Sequence, residues 1–134
     1  DHLILTSEKF PNIVISANGA SSTIQSLSIS ADNRIIENEH HRVPGFPHAV
    51  VARKSAVGDY RIFVAGYPNW ISVFDLCESR LVLQKSFWIG DLFKKKLLYL
   101  DLVDTKSDSL ALALSGEIFL GVVEPSLPEV CVVT

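Results

Sequence analysis

Three isoleucines at a fixed interval constrain this chain more than any other feature. Ile24, Ile71 and Ile118 are 47 positions apart, from 24 to 71 and from 71 to 118. Around them the runs share one make: "STIQSLSI", "NWISVFDL" and "GEIFLGVV". Two positions on come Ser26, Val73 and Leu120; five positions on come Ile29, Leu76 and Val123. Each run is preceded by a similar one, "NIVISANG", "RIFVAGYP" and "LALALSG". The first two are followed by "NRIIE" and "RLVLQ", and the last by "PEVCVV".

Short apolar runs of five to seven residues, rich in Val, Ile, Leu and Phe and bounded by Gly, Pro, Asn, Asp or Ser, predict β-strands. Twelve such runs span the chain, among them Thr23–Ile29, Arg34–Glu37, His48–Arg53 and Trp70–Leu76. Helical periodicity is nearest at 87–102, where Gly90 and the lysines at 94, 95 and 96 interrupt the apolar face. The reading is therefore all-β. A period of 40 to 50 residues with four strands per repeat is the pattern of a β-propeller blade. One four-stranded blade cannot cover both of its faces, so blades stack on one another. The repeat divides the chain into three blades, 1–46, 47–93 and 94–134. Propellers need about four to eight blades to close, so three predict an incomplete ring. The absence of methionine, with Asp1 at the start, adds the expectation of a piece of a longer protein.

The middle repeat, "RIFVAGYPNWISVFDLCESRLVL", resembles a WD40 blade. That family's third strand runs apolar, polar, apolar, then Trp-Asp; here Ile71, Ser72, Val73, Phe74 and Asp75 fill those places, with Phe74 for the tryptophan. "GFPHAVVA" is similar to the Gly-His that opens such a repeat, with His48 as the histidine. The turn between second and third strands carries Asn69 where the family has aspartate. Divergent blades of this kind resemble those of large nuclear scaffolds, the damaged-DNA-binding and pre-mRNA cleavage-factor group. The resemblance implies a degenerate WD40-like propeller that binds other proteins.

Composition narrows the partners. With 48% hydrophobic and 20% charged residues in 134, the chain is globular, and its length suits one domain. A net charge of −3 gives no general attraction to nucleic acid or anionic membrane. The basic residues are not interleaved with aromatics as a nucleic-acid stacking surface requires. No apolar run is long enough for a membrane helix. Two cysteines, Cys77 and Cys131, are too few for a disulfide scaffold or a cysteine zinc site. No Asn-x-Ser/Thr acceptor occurs. These facts predict an intracellular protein, in cytoplasm or nucleus.

Chemistry is sparse. His40, His41 and His48, with Glu37 and Glu39, offer metal-ligand types in "NEHHRVPGFPH" and just before it. Adjacent histidines on an extended strand point to opposite sides, whereas Glu37, Glu39 and His41 share a face at period two. Pro44-Gly45-Phe46-Pro47 is turn chemistry, the charged residues before it read as a solvated outer strand of the first blade, and the stretch reads as a connection between blades, with no metal or cofactor expected. Nucleophile-elbow and phosphate-loop motifs do not occur, so no enzyme activity is expected. Tyr67 and Trp70 flank a tight turn, and Trp88 and Phe93 surround Gly90-Asp91; these four are the candidate partner-binding residues, with wedges between blades as the competing role. The chain that completes the ring is the other candidate partner. The alternative function is a small closed barrel or sandwich that holds an apolar ligand.

Overall fold

The computed structural model describes residues 13–55, 59–67, 70–78 and 80–88, and backbone strands alone at 2–5, 97–104, 109–114, 117–123 and 128–133; His48 and Phe87 are also described by backbone only. The chain is all-β, with twelve strands and no helix among the described residues. The first sheet holds β1 (His2–Leu5), β2 (Ile13–Asn18), β3 (Thr23–Ile29) and β4 (Ile35–Arg42). The second holds β5 (Phe46–Lys54), β6 (Tyr60–Tyr67), β7 (Trp70–Cys77) and β8 (Arg80–Trp88). The third holds β9 (Leu97–Asp104), β10 (Ser109–Leu114), β11 (Glu117–Val123) and β12 (Pro128–Val133). Each sheet is an antiparallel meander in chain order. None closes on itself, since its first and last strands are edges, so the closed-barrel reading does not hold.

The 47-residue interval has a structural meaning. Ile24, Ile71 and Ile118 are each the second residue of the third strand of their sheet. Each also registers opposite an alanine of the second strand: Ala17, Ala65 and Ala113. A large and a small residue side by side let a neighbouring sheet approach closely.

The sheets stack in sequence order. β5 packs against β1 and β2 on one side and against β9 on the other, β6 also meets β9, and β4 meets β8. Between the first two sheets lies one apolar cluster: Ile13, Ile15, Ala17 and Ile24 against Val50, Ile62, Val64, Trp70, Phe74, Leu76 and Leu81. Each large side chain fully enclosed there contributes about 1.5–3 kcal/mol. The opposite face of the second sheet carries Phe63, Ala65, Ile71 and Val73, all buried as well. Period-two alternation therefore vanishes from β6 and β7, whose residues are apolar on both sides because both sides are covered.

Turn chemistry fixes the hairpins. The Asn18 Oδ1 accepts the Ala20 N–H at 3.0 Å, and Ser22 and Asn33 take positive φ of 52° and 59° in the β2–β3 and β3–β4 turns. Asp59 ties down the β7–β8 turn, where Glu78 (φ 62°) gives its N–H to Asp59 Oδ2 at 2.9 Å. Gly66 lies against the Phe46 carbonyl so closely that a Cβ would collide with backbone. "NEHHRVPGFPH" proves to be mostly strand: β4 runs to Arg42, β5 starts at Phe46, and only 43–45 connect them.

Candidate functional site

The four strands of the second sheet all end in an aromatic residue at the same end: Phe46 opens β5, Tyr67 closes β6, Trp70 opens β7 and Trp88 closes β8. Register links them, with Phe46 opposite Tyr67 and Trp70 opposite Trp88. Tyr67 is 54% exposed, Trp88 58% and Phe46 50%, so three large apolar side chains stand in solvent along this rim. Trp70 is the exception. It is fully enclosed, and its indole N–H donates to the Tyr67 carbonyl at 2.9 Å. A buried indole whose donor is satisfied belongs to the core, so the Trp70 side chain is not open to a partner in this structure. Phe93 and Lys94–Lys96 lie outside the described residues.

Sequence reasoning missed Phe46 because it sits between two prolines in what reads as turn. Its ring lies over Gly19 of the β2–β3 turn, where a side chain would collide with it. The first sheet thus supports one edge of the aromatic rim. Aromatic side chains held by packing and still half-exposed are suited to partner binding, since they bury large area with little loss of freedom.

The histidines and glutamates of β4 form two separate pairs. His40 and His41 do point to opposite sides. His41 Nε2 sits 2.6 Å from Glu39 Oε1, while His40 Nδ1 sits 3.2 Å from Glu37 Oε1 in solvent. Glu37 was expected on the Glu39 and His41 face. A β-bulge after Ser26 overturns this: Glu39 opposes Ser26 but Glu37 opposes Leu27, with Asn38 the extra residue. The second oxygen of Glu39 reaches the next sheet and accepts the Leu81 N–H at 2.8 Å, and the His41 ring stacks tilted on Phe74 at 5.8 Å. Burial raises the Glu39 pKa, but the Leu81 N–H, His41 and the Arg80 charge outweigh it and hold it below the ordinary carboxylate value. The pair is a clasp between β4 and β8.

Ser26 stands opposite Glu39 and near this pair in register, giving the composition Ser, His and acid. The arrangement does not make a nucleophile. Ser26 is fully enclosed, and its Oγ has no hydrogen-bond partner among the described residues, whereas a serine nucleophile needs a base within reach and access to substrate. Among the described residues no three of His, Cys, Asp and Glu come together as a metal site, and no helix is long and apolar enough to cross a membrane. Cys77 is a free, half-buried thiol at the end of β7.

Asp75 has a side chain only 4% exposed and accepts from Arg61 Nε at 3.0 Å. The pair lies on the face of the second sheet that carries Ile71 and Val73, turned towards β9. No protein-family model matches the chain, and no characterised protein is significantly similar to it.

Proposed function

We propose that this chain is a WD40-like β-propeller segment acting as a non-catalytic, intracellular protein-interaction scaffold. One observation carries the reading: first strands pack on first strands, with β5 between β1 and β9, and the last strand β4 lies beside the last strand β8. Meanders arranged radially about an axis produce that order, with the first strand of each blade innermost. A sandwich that pairs two sheets face to face would leave every sheet one solvated face, and the inner strands β6 and β7 of the second sheet have none.

In this reading partners dock on the blade ends, where Phe46, Tyr67 and Trp88 stand exposed. The test is affinity capture of partners by the full chain and by a Tyr67→Ala/Trp88→Ala variant, with circular dichroism to check the fold. Both side chains are more than half exposed, so the variant keeps its strand signal. Specific partners lost from the variant support the rim; an unchanged set of partners refutes it.

A further inference from the structure

We infer that the outer edge of β8 receives an extended, acidic strand from a partner protein. The inference rests on the interaction-scaffold reading and gives it a second surface, along a strand rather than at the sheet end. β8 is the last strand of the second sheet and pairs with β7 alone. Beyond that ladder, the Glu39 carboxylate on the Leu81 N–H is the only bond to the β8 backbone among the described residues. An edge strand with open N–H and C=O groups is a template for pairing, and strand addition to such an edge is a general mode of recognising extended segments.

Register shows what the edge presents. Residues opposite one another across a ladder share a face. Arg80, Val82 and Lys85 oppose Cys77, Asp75 and Val73 and so lie on one face, whereas Leu81 and Leu83 oppose Leu76 and Phe74 on the other. Val82 is 44% exposed and Leu83 50%, so β8 offers an open apolar side chain on each face. Arg80 and Lys85 flank them, and no carboxylate occurs between 80 and 88. The neighbouring carboxylates are already engaged, Asp75 by Arg61 and Glu39 by His41 and the Leu81 N–H. Lys85 has no ion pair among the described residues. The other described outer strand, β4, differs, because its histidines pair with its own glutamates. The bulge at Gln84 belongs to the fold, since β4 has one at the equivalent register. A second copy does not suit this edge: two β8 strands side by side would gather cations without an acid. The segment that fits sets carboxylates beside Arg80 and Lys85 and apolar side chains beside Val82 and Leu83, with main-chain bonds supplying the pairing.

The probe is a fluorescein-labelled peptide of alternating Val and Glu, titrated with the full chain and followed by fluorescence anisotropy. Binding is expected, and it weakens about fivefold or more in Lys85→Glu, where an attraction becomes a repulsion. Lys85→Gln, which removes the charge without reversing it, gives a smaller loss. Circular dichroism checks that both variants keep their strand signal. Two control peptides, one with Lys in place of Glu and one N-methylated at every residue so that it has no donor for a ladder, are expected not to bind. No binding of the Val-Glu peptide, equal binding of either control, or binding indifferent to both Lys85 changes overturns the inference. Partner capture that is lost in Tyr67→Ala/Trp88→Ala but unchanged in Lys85→Glu also overturns it and leaves the scaffold reading standing, so the two fail separately.

Discussion

The Arg61–Asp75 pair offers a test of how the sheets tolerate charge between them. Asp75 has a side chain 4% exposed and Arg61 one 16% exposed, joined at 3.0 Å. Removing one partner of such a pair leaves the other charge enclosed, a loss of about 3–5 kcal/mol in well-buried cases. The partial exposure of Arg61 places Asp75→Ser at the lower end, about 3 kcal/mol. That is a large part of the roughly 5–15 kcal/mol that holds a domain together. The repeat itself suggests the compensating change. Four residues from each anchor pair, the first sheet sets Ile13 opposite Ser28 where the second sets Arg61 opposite Asp75. Arg61→Ile/Asp75→Ser therefore installs a pair that the same fold already uses, and its cost is within about 1 kcal/mol of the starting protein, as apolar replacements of buried ion pairs often are. Urea unfolding at one protein concentration, followed by circular dichroism, reads all four chains: the starting protein, Asp75→Ser, Arg61→Ile and the double variant. The double-mutant cycle then isolates a coupling of at least about 2 kcal/mol. A single Asp75→Ser loss below about 1 kcal/mol, or a double variant as unstable as that single, refutes the reasoning.

Two further changes probe the seam between the first and second sheets. Glu39→Gln weakens the clasp to Leu81 and His41 by about 1 kcal/mol, the scale of one charge-assisted hydrogen bond. Because the folded Glu39 carboxyl lies below its ordinary value, its contribution is present above the unfolded pKa and is lost as pH falls through the folded one. The difference between wild type and variant in thermal unfolding is thus clear at neutral pH and disappears in acid; an equal difference at both would contradict the clasp. Ser26→Ala removes a fully enclosed hydroxyl that has no partner among the described residues, so stability stays level or rises by up to about 1 kcal/mol; a loss above that in the same assay would mean that the hydroxyl is bonded.

Strand existence was legible in the sequence because every run is short, apolar and punctuated by turn residues. The anchors were legible too, since stacking imposes one large–small pair per sheet at fixed register. β4 was harder: "ENEHHR" lacks apolar content, so the apolar run ends at Glu37 and the charged residues after it read only as a solvated outer strand. Its place at the periphery explains the composition, because an edge strand exposed along most of its length, with only Glu39 and His41 half-buried, has little core to feed and gains from charge. The bulge at Asn38 left no mark in the pattern, and it decides which carboxylate joins His41. Contacts such as Glu39 to Leu81, 42 residues apart, depend on stacking and not on any local signal. Trp70 and Trp88 illustrate the limit at the candidate site. Both read as partner aromatics, yet the first begins an inner strand of the sheet and the second ends its outermost one, a difference set by strand order alone.

Burial of β6 and β7 on both faces restricts where this molecule can bind anything. β6 and β7 present no face to solvent, so recognition falls to three kinds of surface: sheet ends, outer strands, and the two terminal faces of the stack. These surfaces carry different burdens. The outer face of the first sheet holds Val14, Ser16, Leu27 and Ile29 at the register that forms the seam of the second, and of these Ile29 is 38% exposed. The rim of Phe46, Tyr67 and Trp88 is not repeated elsewhere in the described sheets: the corresponding strand ends of the first sheet, Asn18, Thr23 and Arg42, are polar. A feature that recurs at 47-residue intervals answers to packing, and one confined to a single sheet answers to something outside it. By that criterion Ile24, Ile71 and Ile118 belong to the fold, and Tyr67 and Trp88 are the side chains on which the proposed partner binding is to be tested.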